Sequence, residues 1–325
     1  MKFSTSVVFA SEAKASLLRP ALCGPSVFVA TRTEFFAACA KKNVVAFVDC
    51  DLFLQIEGEV PEVPIIGVMD TAMDALDRSV QWMDAFPWVS HLVVTTLLET
   101  PSAADYLATL LQRLPQAPST DLGVTGVGRV ALLARASRRG ARLDRMREFF
   151  AKHGLSQRAL ATINDVAEEL MTNGLYDAPM EGGYFKQAVP RTEDVELPED
   201  RACEISYGVE RDDVFVRLRD TFGSLSRERL LGVLSRCNAT SVPLDESRGG
   251  AGLGMWRVFS AASTINIAVL PGRLTDIRVT LATKQGRIVK GLHAVHLHFA
   301  QIENTLEHLD RDSDLAFEQS ITLVA

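Results

Sequence analysis

The sequence predicts two domains of different class. The first, residues 1–117, is an α/β domain with a doubly wound parallel sheet. A linker at 118–128 joins it to an α+β two-layer sandwich over 129–325. Three observations carry this expectation. The chain has 325 residues, enough for two cores. Up to residue 114, short apolar β-branched runs alternate with helical patterns, the signature of a parallel sheet covered on both faces. Beyond Arg129, amphipathic helices are followed by strands with no helical pattern between most of them, which predicts an antiparallel sheet.

The elements follow in order. SVVFA (Ser6–Ala10) precedes a Leu/Ala helix, and SVFVAT (Ser26–Thr31) precedes the helical run EFFAACAKK. VVAFVDCD (Val44–Asp51), PIIGVMD (Pro64–Asp70) and HLVVTT (His91–Thr96) are further strands, and SAADYLATLLQRL (Ser102–Leu114) is a helix. The stretch Pro115–Gly128 is rich in Pro, Gly, Ser and Thr and reads as a linker. A short strand and a polar, Arg-rich helix ending at Gly154 come next. The helix from Ser156 has a capping serine at its start and is expected to stop at Pro179. ACEISYGVE, DVFVRLRD, TINIAVL and TDIRVTLAT alternate as antiparallel strands.

Composition narrows the function classes. Apolar residues make up 47% and charged residues 23%, as in globular proteins. The net charge of −7 leaves no basic excess to displace counterions, so nucleic acid is not an expected partner. Five cysteines, scattered and never in CxxC, fit reduced thiols. The N-terminal apolar run is too short for a signal peptide, and no stretch is long enough to span a membrane. A cytoplasmic protein is expected.

The candidate site lies in the second half. Glu169 and Asn173 stand at i and i+4, so they project from one helix face, and Asp177 follows one further turn on. A carboxylate and a carboxamide so placed offer a hard oxygen environment suited to Mg²⁺, with Glu169 able to orient or deprotonate a nucleophile. Asp220 ends an apolar strand and is followed by a turn at Gly223. The run RGGAGLGM (Arg248–Met255) then enters a helix, a form suited to wrapping phosphate with backbone N–H groups.

In this order the set resembles the GHKL-type ATP-binding domain shared by histidine kinases, anti-sigma-factor serine kinases, type II topoisomerases, large dimeric heat-shock chaperones and mismatch-repair ATPases. The resemblance covers roughly residues 130–285. It implies ATP and Mg²⁺ as cofactors, with Glu169 as catalytic base and Asn173 as metal ligand. Asp220 would read adenine and Thr275 would close the adenine pocket. Gly223 would take the place of a turn glycine. Gly250, Gly252, Leu253 and Gly254 would form the phosphate loop, with Arg248 reaching a phosphate and Ser224–Arg248 acting as a lid. The family prefers alanine after the asparagine and often His or Lys three residues later; this chain has Gly174 and Asp177.

The first half resembles, in its order of elements, the receiver domain of response regulators. Asp49 or Asp51 sits near the phosphoacceptor position. Only Glu12 follows the first strand where an acidic pair would hold Mg²⁺, and Thr100-Pro101 replaces Lys-Pro. The expectation is a pseudo-receiver used for docking. No phosphoacceptor histidine on a helical hairpin precedes Glu169, so a conventional histidine kinase is not expected; His153 reads as a helix-end charge. His296 and His298 share one face of a strand but lack a further ligand nearby, and no metal is expected there. The resemblances together imply a bacterial signalling regulator: an anti-sigma-type Ser/Thr kinase or an ATP-dependent partner-binding switch, acting on a protein partner and compatible with a homodimer. The alternative is a catalytically silent scaffold that keeps the ATP-binding fold.

Overall fold

The computed structural model describes residues 3–70, 75–114, 127–238 and 253–300. In chain order the first half comprises β1 (Thr5–Phe9), α1 (Glu12–Ala21), β2 (Ser26–Val29), α2 (Arg32–Cys39), β3 (Val44–Asp49), β4 (Ile65–Met69), α3 (Ala75–Ala85), β5 (His91–Val94), α4 (Thr95–Leu98) and α5 (Ala103–Arg113). The second half comprises β6 (Val127–Leu133), α6 (Arg139–Lys152), α7 (Gln157–Thr172), α8 (Ala178–Glu181), β7 (Cys203–Glu210), β8 (Asp213–Asp220) and α9 (Arg227–Asn238). It continues with α10 (Leu253–Ala261), β9 (Thr264–Leu270), β10 (Leu274–Leu281), a small hairpin of β11 (Thr283–Lys284) and β12 (Arg287–Ile288), and β13 (Ala294–Phe299).

Two separate domains are not what forms. Eleven strands make one continuous mixed sheet in the order β2-β1-β3-β4-β5-β13-β9-β10-β8-β7-β6. The first five pair in parallel, and β6 to β10 pair antiparallel. β13 joins the halves. It runs antiparallel to β5 (Val295 opposite Leu92) and parallel to β9 (Val295 opposite Ile265). The edges that two independent sheets would leave open therefore satisfy one another. The partner of HAVHLHF is about two hundred residues away in sequence, a pairing no local pattern reveals.

The cores agree with a single body. One cluster of buried side chains runs along one face of the sheet, from Phe35, Phe53 and Met83 to Leu160, Leu170, Leu234, Val258 and Ile277. α2, α3, α9, α10, α7 and α6 contribute to this face. A second cluster packs α1 and α5 on the other face, under the first half only. In the second half that other face carries charge: Arg217 makes a bidentate pair with Asp276, at 2.8 and 2.5 Å, and Arg278 pairs with Glu210.

Several local forms match their causes. Ser156 caps α7, its hydroxyl accepting from Ala159 N at 3.3 Å. The expected stop at Pro179 is different in form. α7 gives way at Asn173 to a π-helical turn, Asn173–Asp177, and Pro179 then sits in the first turn of α8. A first-turn proline has no N–H to satisfy, so the chain keeps turning through it. Residues 127 and 128, read as linker, belong to β6.

Candidate functional site

α7 and its π turn lie across β8 and β10, and a pocket opens between them. Glu169, Asn173, Asp177 and Glu181 line it from the helical side, Leu218 and Asp220 from β8, Thr275 and Ile277 from β10. Leu225, Arg229, Leu230 and Val233, on and just before α9, form another wall, Met255 of α10 contributes, and Arg191 enters from a loop. The sequence-predicted residues Glu169, Asn173, Asp177, Asp220 and Thr275 thus meet in one place. β8 and β10 contribute even-numbered and odd-numbered residues respectively to this face, because Asp220 stands opposite Thr275 in the antiparallel register.

Asp220 is buried, and Oδ1 accepts hydrogen bonds from the backbone N–H groups of Phe222 (2.9 Å) and Gly223 (3.3 Å). Burial pushes its carboxyl up to about 6, against the pull of those two N–H groups. Both backbone bonds fall on Oδ1, which leaves Oδ2 for a ligand. The Thr275 hydroxyl faces the Asp220 carboxylate and favours its charged form, yet it makes no hydrogen bond of good geometry and is 3% exposed. A buried hydroxyl without a partner is costly, and a polar ligand in the pocket would satisfy it.

Glu169 is half-buried. Burial raises its carboxyl above the ordinary value, Asp177 adds to this, and Arg191 opposes it. The backbone of Gly254, in the first turn of α10, lies so close that any Cβ there would overlap the Glu169 carboxylate. A side chain at 254 would therefore displace the Glu169 carboxylate, and the helix N-terminus favours the negative group beside it. Gly174 has a similar reason: a Cβ would stand 2.7 Å from Leu218 Cδ2 and 2.9 Å from Cys203 Sγ. The glycine after Asn173 lets the π turn settle onto the sheet.

Asp177 does not stand unopposed among the acidic groups. Arg191 Nη2 donates to its Oδ2 at 3.0 Å. Glu181, one turn beyond, pairs with Arg229 of α9. Burial raises the carboxyls of both Asp177 and Glu181. Glu181 was legible in the sequence as the next member of the 169–173–177 series. Arg191 was not, because its loop carries no motif.

Gly223 lies beside the pocket but has a structural role. Its φ is +56° and its α-carbon faces the backbone of Leu270, Arg273 and Leu274, where a side chain has no room. Leu253 begins α10, and of its side chain nothing is described. Arg248, Gly250 and Gly252 lie outside the described residues, as does most of the lid beyond α9.

The acidic end of the first half has an unexpected occupant. Lys14, from α1, is buried with its Nζ at 2.5 Å from Asp49, 3.2 Å from Asp51 and 3.1 Å from Asp70. Burial pulls its ammonium toward neutrality, but the three carboxylates outweigh this and raise it. Asp49 also accepts from the N–H groups of Ser11 and Asp51. Of the two aspartates near the phosphoacceptor position, Asp49 is thus buried and already engaged, while Asp51 is exposed.

Among the described residues no group of three or more His, Cys, Asp or Glu side chains is arranged to hold a metal ion by itself, and no helix is long and apolar enough to cross a membrane. No protein-family model matches the chain, and no curated protein is significantly similar to it.

Proposed function

We propose that the pocket between α7 and β8/β10 binds an adenine nucleotide with Mg²⁺, and that the protein is a nucleotide-dependent signalling regulator acting on a protein partner. The observation that carries this reading is the pairing of a buried carboxylate, Asp220, whose backbone bonds fall on one oxygen, with a buried hydroxyl, Thr275, that makes no hydrogen bond of good geometry among the described residues. Together they offer an acceptor and a donor/acceptor to the edge of a purine amino group. The donor set suits the cofactor: Asn173 offers an amide oxygen for Mg²⁺ near Glu169, all within the same pocket. Bound Mg²⁺ would offset the repulsion between phosphates and the pocket's carboxylates. Glu169, with its raised carboxyl, is the residue suited to hold or accept a proton from an attacking hydroxyl, as a Ser/Thr kinase requires.

A second reading, a catalytically silent scaffold that binds nucleotide, is favoured by one observation. The Glu169 carboxylate rests against the backbone of α10 instead of standing clear in the pocket. The first half supports a docking role in either case, because Lys14 occupies its acidic end.

Thermal shift tests the binding step. ATP with Mg²⁺ raises Tm and GTP with Mg²⁺ does not, since a ligand that binds only the folded state stabilises it by mass action. Equal response to both nucleotides, or to neither, contradicts the adenine assignment. Radiolabelled ATP with candidate partners then separates the two readings: label transfer abolished by Glu169→Gln supports the kinase, and binding without transfer or hydrolysis supports the scaffold.

A further inference from the structure

Four carboxylates line the pocket, Glu169, Asp177, Glu181 and Asp220, and the described cations among its lining residues are Arg191 and Arg229. The two arginines engage different carboxylates. Arg229, from α9, pairs with Glu181. Arg191 pairs with Asp177, one helical turn beyond Asn173, and lines the same pocket as Glu169.

Arg191 is held in place there. The π turn clamps its loop at two adjacent positions: Tyr176 Oη donates to Glu193 O at 2.6 Å, and Asp177 accepts from Arg191 at 3.0 Å. On the far side, Asp194 accepts from Ser137 N at 2.7 Å and Ala136 N donates to Val195 O at 2.9 Å. Arg135 pairs with both Asp194 and Glu196. One nitrogen of the guanidinium is engaged by Asp177, while Nε and Nη1 make no hydrogen bond among the described residues. A planar cation that lines a pocket, held through one nitrogen and with the others unengaged among the described residues, is suited to a phosphate oxygen. Because the loop is already ordered, little conformational entropy remains to be lost on binding.

We propose that Arg191 is a phosphate-binding residue of this pocket, held by Asp177, and that the ligand is therefore a phosphorylated nucleotide and not a free nucleoside or base. This rests on the adenine-nucleotide reading above and adds where the phosphate end lies. The π turn is the device that achieves it. By placing Tyr176 and Asp177 against the loop, it brings in a charge that α7 itself does not supply.

Calorimetric titration of the full chain with adenosine, ADP and ATP, the nucleotides with Mg²⁺, tests this on the wild type and on Arg191→Gln and Arg191→Lys. The expected result is a loss of roughly tenfold or more in affinity for ADP and ATP in Arg191→Gln, the size of one charge-assisted hydrogen bond. Adenosine affinity stays within about twofold on the same scale of bond energies, and Arg191→Lys recovers part of the loss. A Gln variant that loses adenosine and ATP equally, or loses neither, overturns the proposal. If Arg191→Gln fails to fold, Arg191→Lys carries the test: it must weaken ATP while sparing adenosine, because a lysine cannot reproduce the guanidinium edge, and an equal effect on both overturns the proposal. A wild-type protein that binds none of the three ligands sinks the underlying reading itself. One that binds adenosine as tightly as ATP sinks only the phosphate assignment.

Discussion

Two buried polar residues explain most of what this molecule asks of a ligand and of itself. The Thr275 hydroxyl makes no hydrogen bond of good geometry among the described residues, so Thr275→Val should leave the ligand-free stability within about 1 kcal/mol while weakening nucleotide binding. Urea denaturation and a binding titration on the same variant check this; a variant that loses stability and binds normally speaks against a ligand-facing hydroxyl. Lys14 is the opposite case, since its charge is matched. Lys14→Met leaves the buried Asp49 uncompensated and should cost about 3–5 kcal/mol. The double variant with Asp49→Asn should recover much of that loss, as no unpaired charge remains. If the single and double variants are equally unstable, the lysine matters for packing and not for charge. At this scale the sequence was informative about Glu169, Asn173, Asp220 and Thr275, because their residue types and spacing follow secondary-structure periodicity. It was silent about Arg191 and misleading around Glu12, where the acidic end is filled by a lysine that becomes visible only once α1 is packed against β3 and β4.

At the scale of elements, the helix that bears the site does not follow the simple rule its sequence suggests. A proline at 179 signals an end, yet the π turn absorbs the change and α8 continues. The same turn needs glycine at 174 because of the close approach to Leu218 and Cys203. Gly174→Ala should therefore destabilise by about 1–3 kcal/mol through overpacking. It should also lower nucleotide affinity, because pushing the turn off β8 moves Asn173 and Asp177 together. Denaturation and titration check both effects, and an alanine variant of wild-type stability contradicts the packing described for this turn. α9 is the element that ties the pocket wall to the first half: Arg227 donates to the carbonyls of Met83 and Val89, while Arg229 two residues on faces Glu181. Periodicity made α7 readable as a helix, but 227–238 was read only as part of a lid and forms α9, and the π turn has no sequence signal of its own.

At the scale of the whole molecule, most strands and helices of both halves were legible, α9 apart, and their union was not. The halves are joined by β13, whose partner β5 lies about two hundred residues away in sequence, so the evident change of pattern at residue 129 suggested separate domains. One sheet and one shared core predict a single calorimetric unfolding transition for the two halves; two resolved transitions contradict this. The seam also sets a pH dependence. His91, His296 and His298 gather where β5 meets β13. His296 Nε2 bonds Tyr106 Oη at 2.6 Å, and its Nδ1 faces His91 Nδ1 at 3.3 Å. Arg227 of α9 and Arg113 of α5 face the same group and oppose its protonation. Burial holds His296 down to about 3 and His298 down to about 4, against 6.5 ordinarily, and lowers His91 as well. Below pH 6.5 the unfolded chain therefore takes up protons that the folded chain refuses, and stability falls as pH drops toward 4. Asp220 works in the other sense, because its folded carboxyl titrates near 6 instead of 3.8, and burial raises Glu169, Asp177, Glu181 and Asp213 in the same direction. Tm should therefore fall more steeply between pH 7 and pH 5 in Asp220→Asn than in the wild type; an unchanged slope contradicts the raised Asp220 carboxyl.

The adenine-nucleotide site is the claim on which the functional account depends, and Asp220 with Thr275 is its centre. The most direct measurement is a calorimetric titration of the full chain with ATP and Mg²⁺, repeated on Asp220→Asn and Asn173→Ala at pH 7.5. Asp220→Asn retains the side-chain oxygen that accepts from Phe222 and Gly223, and it removes the costly buried charge. The account predicts saturable binding in the wild type and at least a tenfold loss, about 1.4 kcal/mol, in each variant with the fold intact. No heat at millimolar ATP, or binding that both variants leave unchanged, would contradict it.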